Sequence, residues 1–163
     1  MALSFNEMSR SKSKRKGIRT LAVIGVLIST GMLILMSVAQ SPRFIHLAGE
    51  HGIVIQTDDL KPGSVKFYSY RDRAGEQLRF LLARDSDGDL YAAMDACHRC
   101  YSYHEGYATS DGYLICKLCG NRYKLAMISK GLASCVPVML RFKAEGQTAK
   151  IDTAELEHNH YLF

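Results

Sequence analysis

DACHRCYSYHEGYATSDGYLICKLCGNRY, the stretch Asp95–Tyr123, decides how this chain is read. It holds four of the five cysteines as two C-x2-C pairs, Cys97-His98-Arg99-Cys100 and Cys116-Lys117-Leu118-Cys119, with fifteen residues between the pairs. A C-x2-C turn aims two thiolates at one point, and two such turns close a tetrahedron of sulfur ligands. Zn(II) and iron–sulfur clusters both accept four thiolates, so the spacing points to metal without choosing which. Two structural disulfides, or redox-active C-x2-C dithiols, are the competing readings. A thioredoxin-like site needs a C-x2-C beside a βαβ pattern, which is absent. Covalent haem needs C-x2-C-H, whereas Tyr101 and Gly120 follow the two pairs. Cys135, in Ser134-Cys135-Val136-Pro137, and His98, inside the first pair, are additional candidates for the site.

Outward from this stretch the signals are those of strands. Val65–Tyr70 alternates, Leu78–Ala83 is an apolar run, and Leu90–Ala96 returns from the turn Asp85-Ser86-Asp87-Gly88. Tyr113–Ile115, Arg122–Leu125, Val138–Phe142 and Ala149–Ile151 are shorter candidates, with Gly146 turning between the last two. The acidic turn lacks the glycine spacing and distal Glu of an EF-hand, so it is read as a hairpin. Helical periodicity is missing from this half of the chain. The fold expected is mainly β: a small antiparallel domain with two metal-binding loops. Its tyrosines, Tyr101, Tyr103, Tyr107 and Tyr113, are read as packing around the loops. Lys117, Arg122 and Lys124 form a docking rim or a solvated face, and His158-x-His160 is read as a frayed end.

The N-terminal quarter is different. From Thr20 to Pro42 there is no charge, and Leu21–Ala39 is a continuous run of apolar or small residues. At about 1.5 Å per residue such a run matches the hydrocarbon thickness of a bilayer. Arg10, Lys12, Lys14, Arg15, Lys16 and Arg19 precede it, against Glu7 alone. Positive charge stays on the cytoplasmic side, so the N-terminus is expected inside and the rest outside. The span is longer than a signal-peptide core, which favours a retained anchor over a cleaved one. The organisation expected is a basic cytoplasmic tail at 1–19 and a transmembrane signal-anchor helix at 20–42. A linker or pre-domain segment follows at 43–64, then a four-cysteine metal-binding β domain at 65–163. The net charge of +5 sits in the tail. The remainder is balanced, so the basic footprint of a nucleic-acid-binding protein is missing.

Two families resemble this pattern. Residues 78–151 resemble a Rieske domain: an Asp-Gly hairpin leads into the first cysteine loop, and Cys135-Val136-Pro137 stands where Rieske proteins place a proline loop. Rieske centres use C-x-H and C-x2-H, whereas Arg99 and Cys119 occupy the histidine positions here. The closer resemblance is to the FtrD-like membrane iron–sulfur proteins. It rests on Asp95-Ala96-Cys97…Cys100, Gly106-Tyr107, Ile115-Cys116…Cys119-Gly120 and Gly131…Cys135-Val136-Pro137. That family's usual Gly-Gly-Cys-Asn-Pro is Ala133-Ser134-Cys135-Val136-Pro137 in this chain. The resemblance implies Cys97, Cys100, Cys116 and Cys119 as ligands of an iron–sulfur cluster, 2Fe-2S or 4Fe-4S, with Cys135 as a possible fifth participant. It also implies an electron carrier, rather than a stand-alone enzyme, linked to bacterial iron uptake. Its setting would be the bacterial inner membrane, with the β domain periplasmic and a redox or iron-permease protein as partner. The alternatives to hold against it are a structural zinc module of a membrane complex and a dithiol–disulfide protein.

Overall fold

The computed structural model of the protein describes residues 43–130 and 135–163. The basic tail at 1–19 and the anchor helix expected at 20–42 lie outside those residues. Among the described residues no helix is long and apolar enough to cross a membrane.

The described part is mainly β. Its strands are β1 (Phe44–Leu47), β2 (Ile53–Gln56), β3 (Ser64–Arg71), β4 (Gln77–Arg84), β5 (Leu90–Cys97), β6 (Tyr107–Ser110), β7 (Tyr113–Cys116), β8 (Arg122–Lys124), β9 (Pro137–Met139), β10 (Lys143–Glu145) and β11 (Thr148–Ile151). One short helix, α1 (Thr153–Glu157), and three 3₁₀ turns complete it. The strands form a five-stranded sheet in the order β1-β3-β4-β5-β9 and two three-stranded sheets, β10-β11-β2 and β6-β7-β8. All pairings are antiparallel except β1 with β3.

The large sheet is built by two hairpins whose turns are fixed by aspartates. Asp72 accepts from Glu76 N at 2.8 Å, closing the β3–β4 turn in the register Tyr68↔Phe80. Asp85 accepts from Asp87 N and Asp89 N at 3.0 and 2.9 Å, closing the β4–β5 turn. That is a side chain imitating a backbone turn, as expected of a hairpin.

Both faces of this sheet are covered, which explains why β4 reads as an apolar run instead of an alternation. One face carries Tyr68, Tyr70, Phe80, Leu82 and Met94, packed against Ile53 and Ile55 of β2, Ala149 and Ile151 of β11, and Leu156 of α1. The other carries Phe67, Leu81, Ala83 and Ala93, packed against Tyr107, Leu114 and Tyr123 of the β6-β7-β8 sheet. Cys97, Cys100, Cys116 and Cys135 belong to that second core. These four cysteines are thus continuous with the hydrophobic interior and are not set out on a surface loop.

Residues 43–64, read from sequence as a linker or pre-domain segment, carry β1 and β2. The C-terminal residues pack as well: Asp152 caps α1 by accepting from Ala154 N at 2.9 Å, and Leu162 is buried. The frayed end expected around His158 and His160 is therefore an ordered turn.

Candidate metal centre

Strand ends deliver the cysteines. β5 closes on Cys97, and the chain turns so that Cys100 N donates to both the Cys97 carbonyl and the Cys97 sulfur, each at 3.2 Å. β7 closes on Cys116. Its turn is held by Cys116 N to the Asn121 carbonyl at 3.0 Å and Gly120 N to the Cys116 carbonyl at 2.9 Å. Cys135 arrives from the segment that enters β9, in register beside the first loop: Cys97 pairs with Pro137, and His98 N donates to the Val136 carbonyl at 3.1 Å.

Five sulfurs meet at this point. Cys97, Cys100, Cys116 and Cys135 are buried, with their sulfurs all within 4.8 Å of one another. Cys135 lies at the middle, 3.4 Å from Cys97, 3.9 Å from Cys100 and 3.1 Å from Cys119. Cys119 is exposed and reaches the group through Cys135. All five are free thiols. The His98 side chain is exposed and belongs to no described group of converging ligand atoms.

The environment separates the thiols. Burial pushes the Cys100 thiol well up, and its bonds to neighbouring thiols reinforce this. Burial also pushes Cys135 up. Hydrogen bonds from Tyr123, Cys119, Cys97 and Cys100 outweigh that and bring it down to about 7. Cys135 therefore forms a thiolate more readily than Cys100 does, and a thiolate is the species that binds metal. The Tyr123 hydroxyl donates to the Cys135 carbonyl and fixes the backbone there. Tyr107 and Tyr123 meet edge-to-face, ring centroids 6.4 Å apart, and wall the sulfurs off from water.

The donor set fits a thiolate-bound metal or iron–sulfur group. No carboxylate or amine competes among the converging side chains. The Tyr107 hydroxyl is fully buried and has no partner among the described protein atoms, and its electrostatic neighbours are Cys97, Cys116 and Cys135. An orphaned hydroxyl among sulfurs is a donor that a charged sulfur centre would satisfy.

One further residue of the site, Asp95, was given no role by sequence reasoning. Asp95 is buried two positions before Cys97 and accepts from Tyr107 N at 2.7 Å. Burial pushes its carboxyl up to about 6, against the opposing pull of the Tyr107 bond, Arg79 and Lys117. The signal available was a lone carboxylate in the otherwise apolar run Tyr91–Cys97. Lys117, Arg122 and Lys124 are exposed, and the Arg122 guanidinium stacks on Tyr113 at 4.6 Å from the ring centroid. Away from the cysteines, Asp72, Glu76 and His160 bring ligand atoms within 4.8 Å of one another at the surface.

The family model described as "Membrane iron-sulfur containing protein FtrD-like" matches residues 60–163. No curated protein matches the chain.

Proposed function

This chain belongs to the FtrD-like family of membrane iron–sulfur proteins, and from that premise we propose that it is a membrane-anchored electron carrier serving bacterial iron uptake. The observation that carries the proposal is the convergence of four buried thiols, with a fifth, Cys119, reaching the surface beside Leu118. In this reading the pairs Cys97/Cys100 and Cys116/Cys119 hold an iron–sulfur cluster, and Cys135 completes the sulfur environment. The two loops and the Cys135-Val136-Pro137 segment take the places of a Rieske-like arrangement. In the same reading the apolar run at 20–42 anchors the β domain outside the inner membrane, within reach of a membrane redox or iron-permease partner.

A bound cluster supplies reversible one-electron exchange. The protein's residues prepare the site for it. Cys100 N, aimed at the Cys97 sulfur, offsets part of the negative charge gathered there. Tyr107, Leu114 and Tyr123 exclude water from the inner side. Leu118 and Cys119 leave one side open, where an electron can pass to a partner without the interior unpacking. Lys117, Arg122 and Lys124 are exposed on the β7–β8 hairpin that carries Cys119, and their positive charge suits an acidic partner surface. Four thiolates gather more negative charge around iron than two thiolates and two imidazoles, which favours the oxidised state. The midpoint potential is expected below the Rieske range of about −150 to +300 mV.

One observation favours zinc instead. A single tetrahedral zinc with sulfur at about 2.3 Å places its four sulfurs about 3.8 Å apart, and the sulfurs of Cys97, Cys100, Cys116 and Cys135 all lie within 4.8 Å of one another. A redox titration of the full-length chain, purified from its host without air and followed by visible absorption, separates the two. Reversible one-electron bleaching below the Rieske range supports the carrier. A colourless protein with zinc near one per chain and no redox transition supports the structural zinc module and removes the electron-transfer role.

A further inference from the structure

We infer that Asp95 is the positioning residue that locks the two cysteine loops into one site. The inference rests on the proposed metal centre for its functional part and on the structure alone for the lock.

Asp95 stands on β5, on the same side of the strand as Ala93 and Cys97, and is 1% exposed. Its Oδ1 accepts from Tyr107 N at 2.7 Å. Tyr107 is the β6 residue paired with Cys116, and the preceding carbonyl, that of Gly106, accepts from Lys117 N at 3.1 Å. One carboxylate on the strand that delivers Cys97 therefore holds the segment that aligns Cys116. Gly106 is fitted to it: a Cβ there would lie 2.3 Å from Asp95 Oδ2, and its φ of +68° is one that glycine adopts freely. No larger residue at 106 allows the carboxylate so close.

The second oxygen is the unusual part. Asp95 Oδ2 has no hydrogen-bond partner. Asp95 also helps line a small recess together with Cys97, Cys100 and Cys116. Burying a carboxylate with one oxygen unsatisfied is costly, and an asparagine would supply the same acceptor to Tyr107 at lower cost.

The test uses the full-length protein at pH 8 with three substitutions. Asp95→Ala removes acceptor and charge, Asp95→Asn removes only the charge, and Gly106→Ala drives a methyl into the carboxylate. Hydrogen–deuterium exchange over residues 104–118 reads the lock with or without metal. Exchange is expected to rise at least tenfold in Asp95→Ala and Gly106→Ala and to stay near the parent value in Asp95→Asn. Release of the bound metal to a chelator is expected to be faster by about 10–100-fold in Asp95→Ala, the usual effect of losing a group that orients ligands. Parent-like exchange or release in Asp95→Ala overturns the lock. A parent protein that carries no metal, together with raised exchange in Asp95→Ala, refutes the metal-centre reading and leaves the lock standing.

Discussion

Tyr123→Phe removes a single oxygen and tests whether the Cys135 segment is held as described. The Tyr123 hydroxyl donates to the Cys135 carbonyl, and no other hydrogen bond to that carbonyl is present among the described residues. Tyr123 is 2% exposed and Cys135 3%, so water does not take the place of the lost donor. A buried carbonyl left without a partner costs about 1–3 kcal/mol. The ring remains and still meets Tyr107 edge-to-face, so no cavity contribution is added. For a domain of this size the loss corresponds to a melting temperature lower by about 4–12 °C. Tyr161→Phe is the control: Tyr161 is half exposed and its ring contact with Tyr101 survives, so it should move stability by less than about 0.5 kcal/mol. Denaturant unfolding followed by tyrosine near-ultraviolet dichroism measures both. A Tyr123→Phe midpoint equal to that of Tyr161→Phe would refute the argument that the hydroxyl anchors Cys135.

Cys135→Ser should cost bound metal as heavily as Cys97→Ser, at least tenfold in affinity, because the Cys135 sulfur lies 3.4 Å from Cys97 and 3.1 Å from Cys119; competition with a coloured chelator reads both. Phe80→Ala should destabilise by about 3–5 kcal/mol, since Phe80 is fully buried and stacks on Tyr68 at 5.4 Å, and most of the stability of a domain this size would be lost in denaturant titration. Glu155 is held below its ordinary carboxyl range, chiefly by hydrogen bonds from Arg141, at 2.7 and 3.0 Å for the guanidinium. A depressed carboxyl stabilises the fold above the unfolded range and loses that contribution as pH falls through the folded value. Glu155→Gln should therefore flatten the acid limb of a stability–pH curve. The change should stay below about 1 kcal/mol, because the Arg141 side chain is 91% exposed and the pair is screened.

The sequence carried much of this fold where the chain alternates or runs apolar between turns. Val65–Tyr70, Leu78–Ala83 and Leu90–Ala96 lie within β3, β4 and β5, and Asp85–Gly88 forms the expected turn. β6 escaped because Tyr107–Ser110 is four residues with no apolar pattern beyond Tyr107 and Ala108. Yet Asp111-Gly112, with φ of 50° and 74°, is the two-residue turn that should have announced a hairpin to β7. β1 left no signal because it is a half-exposed edge strand, parallel to its neighbour. Val138–Phe142 was read three residues too long at its end: β9 ends at Met139, after a register shift against β5.

The cysteine site was legible as a set and not as a geometry. The C-x2-C spacing brings Cys97 with Cys100 and Cys116 with Cys119 whatever the fold. That Cys135 lies among the buried sulfurs and Cys119 at the rim depends on β5 pairing with β9, a contact between residues about forty apart. Asp95 was invisible for the same reason. Its role exists only once Gly106 has brought the backbone against it.

The central claim is that these thiols hold an iron–sulfur cluster, and the most direct test is iron and acid-labile sulfide per chain in full-length protein purified without air from its host. Iron and sulfide in equal, whole-number amounts, lost together when Cys97 is replaced by serine, are the predicted result. Zinc near one per chain with no sulfide would contradict it.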